Sequence, residues 1–526
     1  VTFLATRPTT DDETPYRWRW AALGVLCLSL LIVVMANTAL IVAAPDMTRD
    51  LALTSSQLQW VIDGYTVPYA SLMLLCGVIG DRYGRRGALL TGLLVFGAGA
   101  VYGSLADTTA AVVTARITMG VGAAIIMPAT LSLLVATFPR AERSRAIAAW
   151  AATSGLAIAF GPLLAGWILE SGSWNTTFLI NVPIAAVAAV AALVLVPPSK
   201  AEKAGRIDWF GGLLSVVAIG ALVYAIIDGF HSGWTAGPIT AAALAGCGLA
   251  AFVAWELRHP NPLLDVRKLG DRTIGGATLA VLLLFLAAFG AIYFVAQQFQ
   301  FVLGYSPLET GLRLLPLAAA VSVGALAAGR VAPRLGVRWV IVSGMVIAAV
   351  GVLLLVRVDA GSGYLDFAVP LVLLGLGIGL AEPPATDAIM DRFPDDDLGA
   401  AGGLNDTAIE LGGSLGIAIL GSILAAGYKD SIAGFIDAAP LPTLTGDLAA
   451  QADYAMQVAG ESVGGATIVA QELSTNPLAS SFAQPLQEAA GASFADAIGQ
   501  ASLVGGLTLA VGALVVAVIL PGRSAN

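Results

Sequence analysis

The chain has 526 residues, of which 57% are hydrophobic and 12% charged, with a formal net charge of −9. A soluble domain carries about 25% charged residues, and apolar runs of roughly 20 residues, the length that crosses a bilayer core, recur here from end to end. A soluble enzyme or binding domain is excluded, and an all-α integral membrane protein is expected.

Taken in chain order, residues 1–19 form a polar segment, and the first span is expected near Trp20. The polar "RPTTDDETPYRWRW" before it and the lack of a small-residue cleavage site distinguish it from a signal peptide. The second span, in "QWVIDGYTVPYA", carries Asp63, ~8 Å from its outer end at the rise of a helix. It closes on "GVIGDRYGRR", residues 77–86. The fourth span, "ARITMGVGAA", carries Arg116 at ~10 Å, so the two charges are expected at one level with Asp63 as main counter-ion. The fifth holds "GLAIAFGPLLAG", residues 155–166, where Gly161 and Pro162 allow bending and close packing. Spans near Thr177, Trp209, Gly237 and Arg272 follow, and the tenth closes on "GRVAPRLGVR", residues 329–338. The twelfth ends in "LAEPPATDAIM", with Glu382 and Asp387 beside two prolines that interrupt backbone bonding.

The thirteenth span, "GGLNDTAIELGGSLG", sets Asp406 and Glu410 four apart on one helix face. Two like charges in low dielectric cannot both remain ionised cheaply, so one of them is expected to hold a transferable proton. Gly412 and Gly416 form a small-xxx-small pair suited to tight helix contact. Segment 428–500, with eight acids, one lysine and four prolines, reads as one long polar loop before a last span near Leu503. That makes about fourteen spans. Aromatic and amide residues such as Trp60, Tyr65, Tyr293, Gln297 and Gln298 are read chiefly as packing. The three cysteines lie in apolar runs and the two histidines in polar connections. No disulfide framework, metal-ligand spacing or phosphate-binding GxxxxGK[ST] pattern is present.

Two further patterns organise the spans. With the N-terminus inside, inner segments hold twenty-one Lys and Arg and outer segments three. This positive-inside bias puts both termini in the cytoplasm, requires an even span count and places 428–500 outside. Residues 77–86 and 329–338 share a Gly/Arg pattern at an offset of 252, which also carries Gly161 onto Gly413. Spans one to six and nine to fourteen therefore read as two copies of one unit around a two-span insert. Such paired repeats point to a transporter with its site between the halves.

These motifs resemble the major facilitator superfamily. "GVIGDRYGRR" is similar to its loop signature, with Gly77, Asp81, Arg82, Gly84, Arg85 and Arg86 as the implied conformational switch. "ARITMGVGAA" is similar to its fourth-span signature, and "GLAIAFGPLLAG" to its antiporter signature, with Gly155, Gly161, Pro162 and Gly166. "MANTALIVAAPDM", "WNTTFLINVPIA" and "QWVIDGYTVPYA" resemble the fourteen-span drug:proton antiporters, including pumps for quaternary ammonium compounds. Two acids of that pattern are absent: Ala36 stands at the first-span Asp position and Val321 near the tenth-span one.

The resemblance implies a major facilitator fold of about fourteen helices, 6+2+6, in two pseudo-symmetric bundles. Residues 20–197 and 258–520 would be the bundles, 198–257 the insert and 521–526 a cytoplasmic tail. The expected function is a multi-pass, proton-coupled multidrug efflux antiporter of the cytoplasmic membrane, exporting lipophilic, cationic compounds by alternating access. It is not an enzyme, and it uses the proton gradient rather than a cofactor or metal. Its partners are drugs, protons and the bilayer, with no nucleic acid and no obligatory protein. Asp63, Arg116, Glu382, Asp406 and Glu410 are the expected proton and substrate residues. The alternatives are a dedicated exporter of one metabolite or lipid, and a non-transporting membrane scaffold.

Overall fold

The computed structural model describes residues 15–522, except 52, 54, 171, 203–206, 232, 438–446 and 476–479. Most of the polar 1–19 segment and of the 521–526 tail thus lies outside the described residues, as do Pro440, Pro442 and Pro477. The described chain is all helical: α1 (Arg19–Leu51), α2 (Ser55–Tyr83), α3 (Arg85–Ser104), α4 (Thr109–Thr137), α5 (Arg140–Leu169), α6 (Trp174–Leu179) and α7 (Asn181–Leu195) come first. Next are α8 (Trp209–His231) and α9 (Ala236–Glu256). Then come α10 (Arg272–Gln297), α11 (Pro307–Leu335), α12 (Val337–Leu354), α13 (Tyr364–Met390), α14 (Leu398–Asp437), α15 (Asp447–Glu461), α16 (Val463–Thr475) and α17 (Ser480–Ile519).

Among the described residues, fourteen stretches are long and apolar enough to cross a membrane, with α6 and α7 together forming the sixth. Prolines inside α2, α4, α5, α11 and α13 do not end these helices. In particular, α13 runs unbroken through Pro383 and Pro384, in a stretch where both are buried in protein.

The helix pairing repeats itself. α1 packs on α5, α2 and α3 on α4, and α3 on α7; α10 packs on α14, α11 and α12 on α13, and α12 on α17. Between the two sets, α2 meets α14 while α5 meets α11, and α4 meets α14 while α5 meets α13. Exchanging the two copies turns each of these contacts into its partner, which is the signature of a pseudo-two-fold arrangement. The pair α8 and α9 pack together, with α8 lying against α2 and α14.

Segment 428–500 corrects the loop expectation. Its described residues are helical: α14 continues to Asp437, α15 and α16 form a hairpin, and α17 starts at Ser480. The acids suggest a solvated loop, but the described ones sit on helices whose other face is buried. Met456 and Ala459 of α15 and Val463, Ala466 and Val469 of α16 are in the core. The Tyr428 hydroxyl donates to the Ala459 carbonyl at 2.9 Å, tying the hairpin to α14.

Candidate functional site

At one end of the bundle the two units are locked together, and the residues of the loop signature make the lock. Asp81, at the end of α2, accepts from Arg85 Nε at 2.6 Å with one oxygen and from the Gly399 amide, at the start of α14, at 2.6 Å with the other. Arg85 is 1% exposed. Its remaining donors reach the Asp395 carbonyl at 2.5 Å and the Ser199 hydroxyl at 3.1 Å. Arg86 donates to the Val196 carbonyl at 3.1 Å. Arg82 lies over the ring of Tyr83 at 5.9 Å. Gly84 has φ 123°, a conformation open chiefly to glycine, and lets α2 turn straight into α3. Gly77 packs backbone to backbone on Gly399, so a Cβ on either would overlap the other's carbonyl oxygen. Also at this end, Ser144 of α5 donates to Asp387 of α13.

The antiporter-signature residues of α5 are contact points. Gly161 and Pro162 lie where α5 meets α1 and α11, with Thr38 and Met35 filling the space a Gly161 Cβ would need. A Cβ added at Gly155 would come 3.0 Å from Val321 of α11, and one at Gly166 would come 3.2 Å from Leu308. Gly412 and Gly416 of α14 pack against the backbone of Leu282 and Leu286 in α10.

Farther along the helices, three pairs of residues spaced by four converge. Four residues is just over one helical turn, so each pair shares a face. Tyr65 and Tyr69 come from α2, Asp406 and Glu410 from α14, and Glu382 and Thr386 from α13. The Tyr65 and Tyr69 rings lie 5.5 Å apart. The Tyr69 hydroxyl meets the Glu410 carboxyl. Asp406 lies within Coulombic range of both Glu410 and Glu382. Asn405 donates to Asp406 at 3.1 Å and accepts from the Thr386 hydroxyl at 3.0 Å. Glu382 and Asp406 are each 1% exposed, and each keeps one oxygen with no hydrogen-bond partner among the described residues. Glu410 is half-buried.

Arg116 ends this band on the side of the first unit. It is 1% exposed and lies 4.3 Å over the Tyr65 ring. Its guanidinium donates to the Val61 carbonyl at 3.1 Å, the Ala36 carbonyl at 3.2 Å and Asn37 Oδ1 at 3.2 Å. Asp63 acts on Arg116 at Coulombic range and also on Tyr224 of α8. Ala36, at the position of the absent acid, supplies its carbonyl oxygen instead.

Of the expected proton and substrate residues, Glu382, Asp406 and Glu410 come together, and Arg116 lies over Tyr65 with Asp63 within Coulombic range of it. Tyr69, Asn405 and Thr386 belong to the band and were not singled out from sequence; the repeat of four from Tyr65 and from Glu382 is the signal that finds two of them. Of the aromatic and amide residues, Tyr65 joins the band. Trp60 stacks on Tyr224 at 5.9 Å, and Tyr293 is 41% exposed.

Three acids share this buried band, and burying unpaired carboxylates is costly. Such a group can take up protons or attract a cation.

A family model described as Major Facilitator Superfamily matches residues 26–417. The chain is 35% identical over 401 residues to the Multidrug resistance protein Stp of Mycobacterium tuberculosis, covering 76% of this chain and 74% of that one. It is 33% identical over 510 residues to the Multidrug efflux pump LfrA of Mycolicibacterium smegmatis, covering 97% of each. Among solved structures it resembles the human organic anion transporter MFSD10, with TM-score 0.59 and 14% identity over 77% of this chain and 93% of that one, a likeness of fold alone.

Proposed function

The chain belongs to the major facilitator superfamily, and from that premise we propose that it is a proton-coupled multidrug efflux antiporter exporting lipophilic, cationic compounds by alternating access. It is a membrane transporter and not an enzyme. The observation that carries the coupling is the band of Glu382, Asp406 and Glu410, set between the two units and short of positive charge. Protonated, the band is neutral enough to stay buried. Deprotonated, it offers carboxylates and two tyrosine rings to a lipophilic cation, which an aromatic face also attracts. Protons and cargo then compete for the same groups, which is the minimum an antiporter needs. A scaffold gains nothing from acids that cost about 2.5–3.5 kcal/mol each at the centre of a membrane helix.

The two units, 20–197 and 258–520, rock about this band, with the Asp81–Arg85–Gly399 lock closing the arginine-rich end. By the charge bias that end faces the cytoplasm of a cytoplasmic-membrane protein, with both termini on that side. The similarity to proteins named for multidrug resistance and efflux supports this reading.

The test is transport in proteoliposomes with an imposed pH gradient, comparing one cationic and one neutral lipophilic cargo. Gradient-driven uptake of the cation is expected to fall at least tenfold in Glu410→Gln and in Asp406→Asn. Uptake that ignores the gradient and survives both substitutions would sink the proposal.

A further inference from the structure

A cavity of about 370 Å³ opens at the arginine-rich end. α5 of the first unit lines it with Arg140 and Arg143. The second unit adds Arg338 from the first turn of α12, Asp387 from the end of α13, and Asp391 and Arg392 just beyond it. Four guanidiniums thus surround two carboxylates. One of those carboxylates is partly engaged, since Asp387 accepts from Ser144, and Arg392 pairs with Asp271 outside the cavity at 3.4 Å. Arg143 lies within Coulombic range of Asp395, Asp387 and Asp391, with no ion pair to any of them among the described residues. Arg143 and Arg338 each hold a buried Nε without an acceptor among the described residues.

The positive-inside tendency explains why arginines collect at this end. It does not explain why two of them, from different units, line one half-open space, each with a buried Nε unmatched. A guanidinium presents its donors as a planar fork that fits phosphate oxygens two at a time. Val337 and Leu520 add apolar lining where α12 begins and α17 ends. That is the level at which a lipid head group meets its chains, and basic pockets between helices on the cytoplasmic side suit anionic head groups.

The geometry points to a phosphate-binding site that bridges the two units and takes the head group of an anionic phospholipid from the adjoining leaflet. Because both units line it, the site is complete only while this end is closed. Its ligand therefore favours the closed conformation by the difference in affinity between states. A soluble phosphate ester carries the same chemistry and is the other source of the anion.

The experiment uses the full chain in nanodiscs of phosphatidylcholine, with or without phosphatidylglycerol, and reads the Tm. Parallel phosphatidylcholine discs receive glycerol phosphate in solution. Phosphatidylglycerol is expected to raise the Tm of the unmodified chain. The Arg143→Gln/Arg338→Gln double variant is expected to need about tenfold more phosphatidylglycerol for the same rise. Arg258→Gln/Arg330→Gln, which alters exposed arginines at the same end, is expected to behave as the unmodified chain does. If the first variant does not fold, Asp391→Asn tests the same site, since losing a lining carboxylate should strengthen the response. An equal, Arg143-dependent rise with glycerol phosphate in plain discs keeps the site and assigns its ligand to solution. A response identical in both double variants, or unchanged by Asp391→Asn, overturns the site, as does the lack of any rise with either probe.

Discussion

Tyr69 is the residue through which the first unit touches the acids of the second. Its hydroxyl meets Glu410, and its ring continues the line from Arg116 through Tyr65. Removing the hydroxyl leaves the packing nearly intact but takes away the polar group by which the first unit meets Glu410. Tyr69→Phe is therefore expected to slow gradient-driven transport roughly tenfold while leaving the Tm near that of the unmodified chain. Thermal melts and proteoliposome uptake on the same preparation check this, and undiminished uptake would remove Tyr69 from the coupling path. The acids of this band were legible in the sequence because charge in an apolar run is conspicuous. Tyr69 was not, because a tyrosine in a span reads equally well as packing. The hydrogen-bond acceptors of Arg116 are hidden for a related reason. Depth along a helix can be counted from sequence, whereas the direction around it depends on which neighbour it packs against.

Helices meet closely here where a glycine removes the side chain. At the arginine-rich end α2 and α14 cross at Gly77 and Gly399, with the Asp81 carboxylate 2.7 Å from where a Gly399 Cβ would stand. Gly399→Ala must push the two helices apart, and overpacking of this kind costs typically 1–3 kcal/mol. The expected outcome is a lower Tm and an arginine-rich end that opens more readily. A pair of spin labels on α2 and α14 near that crossing should report a longer mean distance; an unchanged distance distribution would show that the crossing does not hold this end shut. The spacing of Gly412 and Gly416 could be read as a packing surface directly, but its partner, the backbone of α10, could not. The α15–α16 hairpin was hidden by its composition. Its acids and flanking prolines match a loop, and only the burial of Met456, Ala459 and Val469 shows a core side.

At the scale of the whole molecule, the 252-residue offset predicts two copies of one unit, and the paired contacts of α2 with α14 and of α5 with α11 answer to that repeat. The charge bias makes a separate prediction about sidedness. A reporter that fluoresces only in the cytoplasm should be bright when fused after residue 526. An enzyme reporter active only outside should be active when inserted within residues 438–446. The reverse pattern would invert the orientation and place the Asp81 lock on the outer face. By itself, the sequence determined the membrane class, the span count, the duplication and which charges are costly. Each follows from hydrophobic length, from sign of charge or from a repeat, all of which are written along the chain. Only the tertiary structure decided that Glu382, Asp406 and Glu410 join two tyrosines in one band, that the Val61 and Ala36 carbonyls hold Arg116, and that four arginines from two units line a cavity. Those facts depend on helix rotation and on contacts between residues hundreds of positions apart, which no local pattern encodes.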